Sequence, residues 1–324
     1  MNASISVAMT TYNGIRYLKA QLDSLFAQTC PPMEVIVCDD GSTDGTVGFL
    51  QQYAREEPRL KPYFNDVGLG VNDNFLKAMS LCRGAYVMLC DQDDVWLPDK
   101  IQASFNALRS AADCELVTSR ALPVDVSGKP LCSLTPRKDN RDGKWTILGH
   151  TSQGCTLLMK RSLVERVLAF DRPGPGELLD PATGKQLVYF DWMIGLLAAF
   201  EDRKLDLAKP LMHYRIHPGN VTADPDFYRG GSWRVRLERW LKRTRTGYEA
   251  YVLYQPKRRM MLEWVYRHCG GAVLPQHALL VEQILRLHDA PSLRTKRKIL
   301  RQLPKDYPIR LRVLAYLKWL RHRG

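Results

Sequence analysis

Short apolar runs alternate with longer amphipathic stretches along the first hundred residues. Ser4-Ile5-Ser6-Val7-Ala8-Met9, Glu34-Val35-Ile36-Val37-Cys38 and the unbroken run from Ala85 to Cys90 are compact and apolar. Runs of this length read as buried strands. Tyr17 to Phe26 and Val47 to Ala54 carry apolar residues at helical spacing between them. Strand, helix, strand, helix in that order predicts an α/β domain built on a parallel sheet. Each strand ends in a polar cluster with glycine or acids: Thr10-Thr11-Tyr12-Asn13-Gly14, Asp39-Asp40-Gly41-Ser42-Thr43-Asp44-Gly45-Thr46 and Asp91-Gln92-Asp93-Asp94. In such sheets ligands bind beyond the carboxyl ends of the strands. One cluster alone is accounted for by helix capping, because Ser, Thr, Asp and Asn are the capping residues. Three clusters brought to one edge are harder to explain that way.

The third cluster carries the most chemistry. Three carboxylates within four positions repel one another unless a cation joins them. A hard divalent ion such as Mg²⁺ or Mn²⁺, shared with substrate phosphates, is the natural partner. A solvated acidic turn before the next helix is the other reading. A further carboxylate, Asp191, lies inside the strongly apolar run Leu187 to Leu197. Burial there would raise its pKa, which suits a general base; a helix-start cap is the alternative.

Ala8-Met9-Thr10-Thr11-Tyr12-Asn13, Val37-Cys38-Asp39-Asp40-Gly41-Ser42-Thr43-Asp44 and Asp91-Gln92-Asp93-Asp94-Val95-Trp96-Leu97-Pro98 occur in this order. Together they resemble a family 2 glycosyltransferase with the GT-A fold, a Rossmann-like, mostly parallel sheet flanked by helices. The acidic motif and later segments look like the bacterial rhamnosyltransferase-like branch. The resemblance covers roughly residues 1–225. It implies a nucleotide-sugar-binding part over about 1–100 and an acceptor part over about 101–225. It implies that Thr10, Thr11, Tyr12 and Asn13 line the nucleotide pocket. Asp40, with Asp39 beside it, would accept the N3–H of uracil or thymine from a UDP- or dTDP-sugar; an ionised carboxylate is acceptor-only and suits an imide N–H. Asp91 and Asp93 match the Asp-x-Asp metal motif, Asp93 first, with Asp94 as an alternative ligand or a helix cap. Asp191 would be the base in an inverting transfer. Tyr214-Arg215-Ile216-His217-Pro218-Gly219-Asn220 resembles an element near the diphosphate, with Arg215 neutralising phosphate and His217 on the metal or a phosphate oxygen. A structural histidine is the other reading. Gly149 to Thr156 resembles a turn and strand beside the acceptor, or is a plain loop. The implied acceptor is an O-antigen-type surface glycan or another lipid-linked acceptor.

Composition narrows the class. The 324 residues are 45% hydrophobic, which is ordinary for a globular chain. Eight cysteines stand without a Cys-x-x-Cys pair and read as reduced core residues of a cytosolic protein. No signal peptide is visible before the first strand, and the longest clean apolar stretch, Met193 to Phe200, is too short to span a bilayer. The charge is uneven: residues 226–324 carry 23 Lys and Arg against 7 Asp and Glu, while residues 1–225 carry 24 against 27. The positive excess therefore belongs to a basic, helical C-terminal region. Trp233, Leu237, Trp240 and Leu241 lie among its basic residues at helical spacing, and Tyr307 to Arg323 repeats the style. Such helices suit the anionic inner face of a plasma membrane, or form a solvated face packed on the catalytic domain. No zinc-finger or RNA-binding signature supports nucleic acid. A nucleotidyltransferase making activated sugars would want a Gly-rich loop with Lys and Arg at the first strand end, which is missing. A dinucleotide oxidoreductase would want Gly-x-Gly-x-x-Gly there. A non-catalytic nucleotide-sugar-binding protein is discouraged by the intact acids.

Overall fold

The computed structural model describes residues 4–134, 136, 138–147, 153–174, 177–179, 184, 187, 189–220, 256–269, 271–292, 294–295 and 298–299. The stretches Ser232 to Arg243 and Tyr307 to Arg323, and Gly149 to Ser152, lie outside the described residues. Among the described residues eight strands form one sheet: β1 (Ile5–Thr11), β2 (Glu34–Asp39), β3 (Leu60–Phe64), β4 (Tyr86–Cys90), β5 (Val95–Trp96), β6 (Leu116–Val124), β7 (Leu157–Lys160) and β8 (Lys204–Arg215). The order across the sheet is β3-β2-β1-β4-β7-β6-β8-β5. β3, β2, β1 and β4 are mutually parallel. The parallel run is unbroken in this half and mixed beyond it. β7 runs antiparallel to both β4 and β6, β6 and β8 are parallel, and β5 is antiparallel to β8. The reversal at β7 follows from its entry, since the chain reaches it through the turn Gly154–Thr156 beside the carboxyl end of β4.

Helices cover both faces: α1 (Ile15–Phe26), α2 (Thr46–Glu56), α3 (Gly70–Leu81), α4 (Lys100–Ser110), α5 (Lys144–Ile147), α6 (Arg161–Ala169), α7 (Phe190–Phe200), α8 (Pro256–His268) and α9 (Pro275–Asp289). Central strands are apolar at nearly every position because both faces are buried. Successive side chains point to opposite sides. Val7, Met9, Val35 and Val37 pack with Leu18, Leu22 and Leu50 of α1 and α2. Ala8, Ile36, Cys38, Val87 and Leu89 pack with Phe75, Leu163 and Ile194 of α3, α6 and α7. This second core also takes in Trp264 and Val265 of α8 and Leu280 and Ile284 of α9. The two basic-region helices therefore share their apolar interior with the sheet. All eight cysteines are free, and Cys38, Cys82, Cys90, Cys114 and Cys155 are buried. Among the described residues no helix is long and apolar enough to cross a membrane.

The register brings the polar clusters together. Thr11 sits opposite Asp39, and Met9 sits opposite Cys90, so β1, β2 and β4 end at nearly one level. β5 then pairs Val95 with His213 and Trp96 with Met212, which delivers the end of β8 to the acidic loop.

Trp264 tests the shared core. It packs against the rings of Phe170, Tyr189 and His268. Trp264→Ala should lower unfolding free energy by about 3–5 kcal/mol, as large-to-small core changes do. A loss under about 1 kcal/mol, the level of a surface substitution, in urea titration would mean that α8 packs only loosely on the sheet.

Candidate active site

The β1 and β2 loops form one hydrogen-bonded unit. Asp39 is buried, and its carboxylate accepts from Thr11 Oγ1 at 2.7 Å, Ser42 Oγ at 2.6 Å, Ser42 N at 2.8 Å and Gly41 N at 3.2 Å. An ionised carboxylate offers about four acceptor sites, so Asp39 is saturated by its own loop. Asp40 is partly exposed. It accepts from Leu69 N at 2.7 Å and Asn65 Nδ2 at 2.8 Å on one oxygen, and from Gly70 N at 2.9 Å on the other. One acceptor site is left over. The carboxylate also sits at the N-terminus of α3, where negative charge is favoured. Asn13 has φ 49°; its N–H donates to Ser42 Oγ and its Oδ1 accepts from Thr43 N, both at 2.8 Å. Tyr12 is 59% exposed at the mouth of this loop, beside partly exposed Thr10.

The acidic loop is tied to the same unit by a residue whose role was not visible in the motif. Gln92 Oε1 accepts from Tyr12 N at 2.9 Å, and its Nε2 donates to Tyr12 O at 3.0 Å. A Cβ on Gly14 would lie 2.0 Å from Gln92 Oε1, so a larger residue there would push the Gln92 side chain off Tyr12. Asp93 turns the other way. Its Oδ2 lies 2.8 Å from His217 Nε2 and 3.4 Å from Asn220 Nδ2. His217 packs on the Tyr17 ring at 4.8 Å. Asp94 is fully buried and accepts Arg215 N–H at 3.0 Å on Oδ1. Capping is not its role, because α4 starts six residues later with Asp99 at the cap position. Arg215 donates Nε to Asp93 O and a terminal nitrogen to Val126 O, each at 2.9 Å, and its guanidinium lies 5.0 Å from the Tyr17 ring centre. Two of its donors thus hold the loop.

Asp91, Asp94 and Cys155 place ligand-type atoms within 4.8 Å of one another. Burial, reinforced by repulsion from Asp93, pushes the Asp91 carboxyl up to about 7, against a hydrogen bond from Cys155. The same causes hold Asp94 well above the usual carboxylate range. Beneath them lies Lys100, also unsuspected from its polar surroundings in the sequence. It is fully buried and donates to Cys155 O at 2.6 Å. Burial lowers its ammonium to about 8, with Cys155, Cys90, Asp94 and Asp91 pulling the other way.

Asp191 faces this cluster from the first turn of α7. Tyr189, not Asp191, holds the cap position. The carboxylate accepts Trp192 N–H at 2.9 Å and Gly154 N–H at 3.3 Å. Burial raises it to about 7, the two backbone donors oppose that, and Asp91 adds repulsion. A carboxyl titrating there can take up a proton at neutral pH.

The sequence matches the model of glycosyl transferase family 2 over residues 6–168, about half of the chain. The protein therefore belongs to glycosyl transferase family 2. An uncharacterised glycosyltransferase of Nostoc sp. is 29% identical over 67% of this chain and 66% of its own length. The putative teichuronic acid biosynthesis glycosyltransferase TuaG of Bacillus subtilis is 36% identical over 33% of this chain and 44% of its own. The chain thus spans less than two thirds of these relatives. S. aureus TarS 1-349, solved in complex with UDP-GlcNAc, superposes with TM-score 0.53 at 18% identity, covering 93% of this chain and 82% of that one. The mannosyltransferase PcManGT of Pyrobaculum calidifontis, solved with GDP-Man and Mn2+, superposes with TM-score 0.50 at 16% identity, covering 87% and 79%. These likenesses show that the fold is GT-A.

The raised Asp191 value has a consequence for stability. Its folded pKa of about 7 exceeds the unfolded value of about 3.9. The folded state then binds the proton more tightly, and stability from this group falls as pH rises between those values. Asn resembles the neutral acid. Asp191→Asn should therefore match wild type in melting temperature near pH 4 and exceed it at pH 8. An offset that does not change with pH would show that Asp191 ionises freely in the fold.

Proposed function

We propose that the chain transfers a sugar from a nucleoside diphosphate sugar to an acceptor hydroxyl, with inversion at the anomeric carbon. The observation that carries this reading is the pairing of two unlike acid sites at one sheet edge. Asp93 meets His217 on the rim, at 2.8 Å, while Asp191 stands opposite in an apolar turn with its carboxyl raised to about 7.

The residues present fit a divalent cation. A partly exposed carboxylate and imidazole already converge, and carboxylate with imidazole suits Mn²⁺ at least as well as Mg²⁺. Asp93 and His217 would hold it, with Asp91, whose ligand atom lies with those of Asp94 and Cys155, as the third ligand by resemblance. Fully buried Asp94 is better read as the anchor of Arg215. When bound, the ion neutralises charge that develops on the leaving diphosphate. Asp191 takes the acceptor's hydroxyl proton as the oxygen attacks the anomeric carbon. The bond from that carbon to the diphosphate breaks, and the nucleoside diphosphate leaves. Asp40, with one acceptor site free, would take the N3–H of a uracil or thymine beside Thr10, Thr11, Tyr12 and Asn13. Asp39 supports that loop from beneath, and Arg215 lends positive charge near the phosphates.

The rhamnosyltransferase-like motifs favour a rhamnosyl donor, and the UDP-GlcNAc bound by TarS supports a uridine or thymidine nucleotide. Teichuronic acid biosynthesis in the name of TuaG supports a surface-glycan acceptor on a lipid carrier. Residues 1–225 would form the catalytic domain. The net charge of +16 over residues 226–324 supports peripheral attachment of residues 226–324 at the cytoplasmic face of the membrane.

Two variants separate the roles. Asp191→Asn should lower kcat by about a hundredfold or more, the range for losing a general base, with donor binding unchanged. Asp93→Ala should abolish Mn²⁺-dependent nucleotide binding as well as transfer. A screen of nucleotide sugars by transfer and donor hydrolysis, followed by calorimetry of both variants, reads this. Near-normal turnover of Asp191→Asn would move the base elsewhere. Donor binding without turnover on any acceptor would favour a binding protein.

A further inference from the structure

The acid pocket contains a cation of the chain's own that the transfer reaction does not use. Lys100 is the first residue of α4 and is fully buried. A positive charge at a helix N-terminus opposes the helix dipole, and burying an ammonium is costly without a charged partner. Its direct neighbours are all neutral: Cys155 O at 2.6 Å, Met212 Sδ at 3.2 Å and the Trp96 ring centre at 4.4 Å. A methionine would fill the same volume without either penalty, but without the attraction of Asp94 and Asp91 for the ammonium. Among the described residues no ion pair holds it, and its shortest contact is the Cys155 carbonyl.

The carbonyl it grips belongs to the turn Gly154–Thr156, which leads into β7. That turn is closed by Thr156 Oγ1 donating to Gln153 O at 2.7 Å. One residue before the gripped carbonyl, Gly154 N–H donates to Asp191 Oδ2 at 3.3 Å. The turn packs closely on the start of α7, since a Cβ on Gly154 would lie 3.1 Å from the Phe190 ring and in ordinary contact, at 3.6 Å, with Asp191 Cβ. A shift of the turn is therefore passed directly to the Asp191 carboxylate.

We propose that Lys100 is a positioning residue for Asp191: by clamping the Cys155 carbonyl, it fixes the Gly154 N–H that aims the carboxylate at the acceptor. This rests on the reading of Asp191 as the base. Lys100 itself touches no substrate. Its contribution is to orientation, and a misplacement of the order of 1 Å can cost on the order of a hundredfold in rate.

A double-mutant cycle in the full-length chain tests the coupling. Lys100→Met, Asp191→Asn and the double variant are compared by kcat, donor KM and calorimetric binding of UDP with Mn²⁺. Lys100→Met should lower kcat by about tenfold or more while KM and UDP binding change by less than about threefold, the pattern of a loss confined to the transition state. In the Asp191→Asn background the same change should cost under about twofold, because residues acting through one group are not additive. Lys100→Gln keeps an N–H donor for the carbonyl without the charge. It should recover part of the lost kcat, and it replaces Lys100→Met in the cycle should that protein fail to fold. Equal losses from the Lys100 change in both backgrounds would overturn the positioning role while leaving the base assignment intact. A normal kcat in Asp191→Asn would overturn the base assignment itself, and the positioning role with it.

Discussion

Mutual repulsion among carboxylates is the constraint around which this end of the sheet is arranged. Asp91, Asp93 and Asp94 are held within one another's fields, and Asp191 within that of Asp91, in a region where low dielectric strengthens every charge interaction. Each acid is relieved differently. Asp93 turns outward to His217, and Asp94 takes a backbone N–H from β8. Asp91 leans on a cysteine thiol, while Asp191 has two backbone donors. Lys100 supplies a fixed positive charge beneath them. Separate relief gives chemically distinct groups from four like residues, and distinct groups are what a reaction with both a leaving anion and a proton to remove requires.

The arrangement depends on strand register more than on any single contact. β1, β2 and β4 end level because Thr11 faces Asp39 and Met9 faces Cys90. A slip of one residue would send alternate side chains to the opposite face and would separate Thr11 Oγ1 from Asp39. β5 has only two residues, yet its pairing with β8 brings Arg215 and His217 to the acids from more than a hundred residues away. Gln92 adds a second tie by pairing with both backbone groups of Tyr12. The loop after β1 and the acid loop are thereby joined as one unit, which is how a site keeps its geometry on loops.

Much of this was legible in the sequence where the signal is local. The apolar runs at 5–9, 34–38 and 85–90 and the polar clusters after them mark β1, β2, β4 and the site edge, because a strand buried on both faces leaves a continuous apolar run. The reversal at β7 was not legible, since pairing direction depends on how the chain returns, and no residue of β7 records that. Asp94 was ambiguous because its partner is a backbone N–H on a distant strand. Lys100 could not be found at all. A lysine after Pro98 and Asp99 reads as a solvated helix start, and only the tertiary fold closes over it. Likewise the Trp264 and Ile284 faces of α8 and α9 were obscured by the high density of basic residues around them.

The central claim is that the Asp93 and His217 side of the acid loop, and not the buried Asp94 side, holds a divalent cation against the donor diphosphate. Pulsed electron paramagnetic resonance of Mn²⁺ bound with UDP measures this directly, because an imidazole ligand imprints a nitrogen coupling on the metal signal. The wild-type chain should show that coupling, and His217→Gln should lose it with weaker Mn²⁺ binding. Mn²⁺ bound equally tightly in both proteins, with no nitrogen coupling in either, would contradict the account and place the ion on carboxylates alone.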